Sequence, residues 1–487
     1  MKKLLCALLV VLLIGTLLVS CQQPQTDNSD VSDEVSEEYV LFSNLPEKDF
    51  SDNGTPTDFT FLTVGDYANT YASVEICPNE LSSELIQEAV FERNALVEQQ
   101  FGVVIKEIRT TGNGEMVNLI RSNASAGTDL YDVVMPWMPD AAALALEGLF
   151  YNLAEDTSVV DFSGPWWAQD AKETMSIGNN LYFVTGDMNL LCYECTHCIV
   201  FNRDMVDELH LEDPYQLVYD GEWTIDKLLE ISKTVSVDQD NGTLDSYDDR
   251  WGFLINHNYV TSMFIGAGYS LSGKDENDLP VVTVKGTGQT ETFNKIFDLC
   301  NDPSVGYIEG FIGKYPQIWD STTEAVATGH CLFRAATIGN IQAMAEYECN
   351  FGVLPAPKLD KDQEDYRVNV SAVYCSCAAV PKTNKEYEKA VIILDAMCQA
   401  ATGTVKTSYY DTLLKMRKLQ DTDGAAMLDI IFDSRVYDYA IIFGWGGVNT
   451  FMNPIAFSGS NTFTSAYESI EDKIQSDLEK TIETLGK

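Results

Sequence analysis

Positive charge is scarce in this chain: 31 Lys and Arg stand against 74 Asp and Glu over 487 residues, a formal net charge of −43. A field of that sign repels phosphate backbones and excludes nucleic acid as a primary partner. It also leaves no polybasic face for anionic lipid. Histidine is scarcer still, with only His197, His210, His257 and His330. No His-Glu-x-x-His zinc motif and no Gly-x-Ser-x-Gly nucleophile turn occurs, so no catalytic signature marks the chain as an enzyme. Paired carboxylates of the glycosidase kind stay open, because an acidic chain offers many candidates. Beyond the first twenty residues no run is long and apolar enough to span a bilayer, and no repeat of fixed period appears. What is present is 45% hydrophobic and 11% aromatic residues, ample for sizeable cores and opposed to disorder.

The one long apolar run is at the start. Lys2 and Lys3 precede Leu4 to Val19, which reads as the n-region and h-region of a signal peptide over residues 1–20. It ends in Leu18-Val19-Ser20-Cys21, which resembles a bacterial lipobox, so Cys21 is the expected lipidation site. Residues 21–57 follow as an expected flexible acidic tether, polar and acidic over Gln22–Glu38. A diacylated Cys21 would hold a soluble body outside the cell membrane, with each buried CH₂ contributing about 0.8 kcal/mol.

Twelve cysteines include Cys6 in the leader and Cys21; in an oxidising compartment an even remainder suggests disulfides. Cys192-Tyr193-Glu194-Cys195-Thr196-His197-Cys198 has the spacing that opens an iron–sulfur run, but no fourth Cys follows. Read as a strand, it places Cys195 opposite Cys192 and Cys198, so small buried thiols are the expectation, as for Cys375 and Cys377. Gly268–Lys274 satisfies Gly-x4-Gly-Lys, yet Asp275 replaces the hydroxyl that would bind Mg²⁺. The acidic loop Asp238–Asp249 is a weak candidate for structural calcium, without EF-hand spacing. No cofactor and no other metal is expected.

From Asp58 short apolar runs alternate with amphipathic stretches. Phe59–Val64, Val103–Ile108 and Tyr131–Met135 are predicted strands, with helices at Leu85–Val97 and Met116–Ser122. Phe253–Ile255, Cys331–Phe333 and Phe351–Leu354 continue the strands. Helices are expected from near Thr224 and after Thr383–Glu386 and Ser465–Glu468, the last two with capping-box spacing. Such alternation points to an α/β fold with largely parallel sheets.

Three segments in order carry a family resemblance. They are Tyr131–Met135 with Ala143–Leu153; Cys198–Val206 with Asp213-Pro214-Tyr215 and Gly221–Leu228; and Phe351–Lys358 with Val380-Pro381-Lys382-Thr383. With the lipobox, this set resembles the family 1 extracellular solute-binding proteins, the sugar-type binding lipoproteins of bacterial ABC importers. The resemblance implies a periplasmic-binding-protein-like fold of two α/β lobes around a hinge and a ligand cleft. By analogy lobe 1 takes 58–185 plus 350–410, and lobe 2 takes 186–349 plus 411–487. It implies a monomer that delivers a small solute, expected to be an oligosaccharide, to a permease.

Sugars are held by aromatic faces against C–H patches and by carboxylates or amides on hydroxyls. At the family's cleft positions the chain offers Asp66, Tyr67, Trp137, Asp140, Asp187, Asn258, Tyr259, Arg334 and Thr337, with Trp445 between glycines as a late aromatic wall. Trp137 also reads as a packing residue and Asp140 as a helix N-cap. Trp166, Trp167 and Trp223 read as core. The maltose-type pattern has a Trp near Arg334, and this chain lacks it. Rival readings are a binding protein for a peptide, amino acid or polyamine, a surface glycosidase or lyase, and a ligand-sensing partner of a receptor.

Overall fold

The computed structural model describes residues 41–65, 71, 73–77, 83–239, 242–246, 249–315, 317–344, 346–415 and 422–487. Residues 1–40, which include the expected signal peptide and Cys21, lie outside them, as do Asp66 and Tyr67. Among the described residues no helix is long and apolar enough to cross a membrane.

Three parallel strands, β1 (Thr57–Val64), β2 (Val103–Thr110) and β3 (Val133–Met135), pair in the order β2-β1-β3. The helix Glu84–Phe101 connects β1 to β2. Ser83 caps it by accepting from the Ile86 amide at 3.4 Å, and Gly102 ends it at φ 65°, where a left-handed residue closes the last turn. Of the apolar stripe expected there, Ile86, Ala89, Val90 and Val97 are buried, while Leu85 is half-buried and Leu96 is exposed. Asp132, in the first family segment, is a structural device: its carboxylate accepts from the Thr60 amide at 2.7 Å and the Asn384 amide at 3.2 Å.

The second sheet holds β4 (His197–Asn202), β5 (Trp251–Ile255), β8 (Val305–Tyr307), β9 (Cys331–Thr337) and β10 (Phe351–Leu354) in the order β10-β4-β9-β5-β8. Only β4 opposes its neighbours. Two small ribbons complete the strands: β6 (Ser272–Lys274) with β7 (Pro280–Val282), and β11 (Val368–Asn369) with β12 (Arg435–Val436). Thr224 caps the helix Ile225–Val235 through the Lys227 amide at 3.2 Å, and Trp223 before it is fully buried.

Several expectations are corrected. Residues 41–57 are not free tether: Phe42 and Leu45 are buried, the Phe42 ring meets Phe101 edge-on, and the Phe50 amide donates to Phe101 O. β10, placed by analogy in lobe 1, is an edge strand of the second sheet. The chain rejoins the first sheet later, where Ala379 bridges Val134 and Ala378 bridges Val184. Neither capping box forms. Glu386 is itself the N-cap of Tyr387–Ala401 without a side-chain bond, and Ser465 lies inside a helix that starts at Phe463. Cys192 sits on the short helix Leu190–Glu194 rather than a strand, and it is disulfide-bonded to Cys375. Local alternation could not reveal a partner 183 residues away.

Candidate functional site

The carboxyl ends of parallel strands gather polar side chains at the sheet edge, where open α/β folds bind ligands. Here both sheets contribute. β1 runs out toward Tyr71, and β3 toward Trp137. β5 leads to Asn256, Asn258 and Tyr259, and β9 carries Arg334 to Thr337. These residues, with His197, Trp319, Asn340, Ser371 and Tyr374, line a cavity of about 300 Å³, Trp137 excepted.

The walls are aromatic. Tyr71 and Tyr374 stack with ring centroids 4.4 Å apart and planes 6° from parallel. Trp137 stands edge-on behind Tyr374 at 5.0 Å. Trp319 opens the helix Ile318–Ala327 from the other side and keeps 48% of its surface exposed. Such rings offer flat faces to C–H surfaces. The polar lining is mostly amide and hydroxyl: Thr337 Oγ1 donates to Asn340 Oδ1 at 3.2 Å and lies 3.2 Å from the Tyr71 hydroxyl. That last contact joins the β1 side of the cavity to the β9 side.

Charge within the cavity is sparse. Burial pushes the His197 imidazole down to about 4, so it is neutral at ordinary pH, against the Ser262 hydroxyl and the Asn369 amide. Arg334 is buried on β9, and its Nε donates to Thr322 Oγ1 at 3.0 Å. Burial raises the phenols of Tyr71 and Tyr259 above their usual range.

Of the expected site residues, Asn258, Tyr259, Arg334 and Thr337 meet in this cavity. Trp137 acts one ring removed. Asp140 is the third residue of the helix Met138–Leu146, where its carboxylate accepts from the Asn113 amide. Asp187 faces a different cavity of about 290 Å³, holding Tyr193, Thr402 and Lys406 at 2.8, 2.8 and 3.0 Å. Trp445 is not a cleft wall: it is fully buried, bonded to Thr481 and stacked on Phe443. Gly446 beside it sits at φ 58° close to the Ile474 backbone, which explains the glycine. Tyr71, Trp319 and Tyr374 escaped the sequence reading, since two lie in irregular segments and Trp319 stands at a helix start. Asn256 was within reach, two residues before Asn258.

The motifs set aside also find structural roles. Leu271 and Ser272 amides in the Gly268–Lys274 loop donate to the buried Asp438 carboxylate, so that loop cradles a carboxylate from a distant part of the same chain. In the acidic loop Asp249 accepts from the Gln239, Asp245 and Ser246 amides. Asp240 and Asp248 lie outside the described residues. Among the described residues no cluster of three or more His, Cys, Asp or Glu is placed to hold a metal.

Glu75 ties the chain crossings beside the cavity. Its buried carboxylate accepts from the Leu191 amide at 3.0 Å and the Ser376 hydroxyl at 2.7 Å, next to the Cys192–Cys375 disulfide. Leu191 lies on the first passage toward the second sheet and Ser376 on the return. Both crossings are therefore held at one point, the place a hinge occupies between two sheets.

No curated protein matches this sequence. Solved structures do match in fold. UgpB of Mycobacterium tuberculosis, in complex with glycerophosphocholine, aligns with TM-score 0.54 and 17% identity over 88% of this chain and 99% of that one. Lmo0181 of Listeria monocytogenes, an ABC substrate-binding protein in complex with cycloalternan, aligns with TM-score 0.54 and 13% identity over 88% and 99%. A cyclo/maltodextrin-binding protein complexed with maltotetraose gives TM-score 0.54 and 12% identity over 88% and 98%. The fold is accordingly α/β and periplasmic-binding-protein-like. The family described as bacterial extracellular solute-binding protein matches residues 94–413, and the chain belongs to that family.

Proposed function

We propose that this protein is the membrane-tethered, solute-capturing component of an ABC importer, and that its solute is a carbohydrate. The carrying observation is the cavity in which the stacked Tyr71–Tyr374 pair and Trp319 face Asn256, Asn258, Asn340 and Thr337. Flat rings with neutral amides suit the alternating C–H and hydroxyl surface of a sugar. Two of the similar structures hold cyclic or linear oligosaccharides, which supports the same class. Capture is non-enzymatic in this reading. The lipobox supports anchoring through Cys21 on the extracytoplasmic side, and Cys21→Ala is expected to release the protein from membranes.

Thermal unfolding of the protein against neutral oligosaccharides, peptides and polyamines tests the ligand class. A binding sugar at a hundredfold excess over Kd raises stability by roughly 2.7 kcal/mol, read as an upward shift in Tm. Shifts with peptides alone would sink the carbohydrate reading. Tyr374→Ala is expected to weaken the best sugar about tenfold by calorimetry, the effect of losing one stacked ring.

A further inference from the structure

A cavity of about 440 Å³ adjoins the aromatic one and shares Trp319, Arg334 and Asn340 with it. Its other walls differ in character. Glu194, Asp320 and Glu346 contribute three carboxyls, against Arg334 as the one cation. Asp320 and Glu346 are exposed at the rim, while Glu194 sits deeper at the end of the short helix Leu190–Glu194. The helix Ile338–Met344 comes close there: a Cβ on Gly339 would stand 3.1 Å from Glu194 Cβ.

Glu194 has no structural use to explain it. Among the described residues its carboxyl has no ion-pair or hydrogen-bond partner. Burial and the negative charge of Glu75 push it up to about 8. Tyr71, Cys195 and Tyr409, which also feel its charge, are acids rather than cations. Half-buried and lining the cavity with no cation bound to it, this carboxyl keeps its proton near pH 7, and an ammonium supplied there would let it ionise. On the wall of the same cavity the Trp319 indole, half exposed, presents a face of the kind that attracts ammonium groups.

We propose that this adjoining cavity receives a protonated primary amine carried by the solute, with Glu194 as counter-ion and Trp319 and Asp320 flanking it. The inference rests on the carbohydrate reading of the neighbouring cavity and narrows it: the solute is an amino sugar with a free amine. The same ammonium chemistry could come from a polyamine, and the experiment separates the two sources.

Calorimetry on the protein would compare a glucosamine trisaccharide, its N-acetylated form, a glucose trisaccharide and spermidine. The expected result is at least tenfold tighter binding of the free amine than of either neutral trisaccharide. Glu194→Gln should cut that preference below threefold. Asp320→Asn, on the exposed rim, should reduce it in the same direction and guards against a folding defect at Glu194; melting curves confirm both folds. Equal affinity for the three trisaccharides overturns the amine subsite and leaves the carbohydrate reading standing. Spermidine binding that Glu194→Gln weakens, with no trisaccharide bound, supports the subsite and overturns the carbohydrate reading. No binding by any of the four overturns both.

Discussion

Single buried carboxylates do unusual amounts of structural duty in this acidic protein. Asp395 accepts both neighbouring indoles on one oxygen, Trp166 at 2.8 Å and Trp167 at 2.6 Å, and the Gln399 amide on the other at 2.7 Å. Asp395→Leu would orphan three buried donors at once. The expected loss is roughly 3–5 kcal/mol, seen as a lower guanidinium midpoint at unchanged slope. Glu75 and His197 make stability depend on pH with opposite signs. Burial pushes the Glu75 carboxyl up to about 7 from 4.5, so the folded chain holds its proton more tightly than the unfolded one. That contribution is full below about pH 4.5 and is lost as pH rises through 7, amounting to about 3 kcal/mol. His197 is pushed down to about 4 from 6.5; its contribution is present above 6.5 and is lost as pH falls through 4. Urea titrations from pH 4 to 8 are expected to show Glu75→Gln flattening the fall toward neutral pH. Gln can still accept from Leu191 and Ser376. His197→Gln should flatten the acid limb instead.

At the scale of elements, the crossings decide how the two sheets work together. The Cys192–Cys375 bond closes a loop of 183 residues between the outward and returning passages. Chain-entropy reasoning makes such a loop worth roughly 3–5 kcal/mol. Reduction, or Cys192→Ser, is expected to lower the guanidinium midpoint by a matching amount and to leave Cys198→Ser, a buried thiol away from the crossing, as the smaller effect. This region was also the least legible in the sequence. The strands Phe59–Val64, Val103–Ile108 and Phe351–Leu354 and the helix after Ser83 were readable, because side-chain periodicity is local. The pairing of β10 with β4, the disulfide and the bonds to Glu75 are contacts between segments far apart in the chain, which no local pattern encodes. The cleft divides the same way: Asn258, Tyr259, Arg334 and Thr337 follow from strand ends, whereas Tyr71 and Tyr374 meet only because the fold returns. Trp445 misled because flanking glycines admit close packing as readily as a ligand.

For the whole molecule, the charge of −43 sets how solutes of different sign approach. Long-range attraction acts on cations and is screened within about 10 Å at 0.1 M salt. A neutral trisaccharide has no net charge for that field to act on, and the cavity walls it meets are rings, amides and hydroxyls. Its association rate and affinity should therefore stay within about twofold between 20 and 500 mM salt. The charged trisaccharide should behave differently in both respects. Its association rate is expected to fall severalfold over the same range, because steering by the surrounding acids is lost. Its dissociation rate should change less, since a contact with a shielded group such as Glu194 is screened less than rim charges. Stopped-flow tryptophan fluorescence, with Trp319 at the mouth of both cavities as the reporter, separates the two rates. An association rate for the amine that ignores salt would mean that the acidic surface takes no part in capture, and that discrimination resides entirely in the cavity.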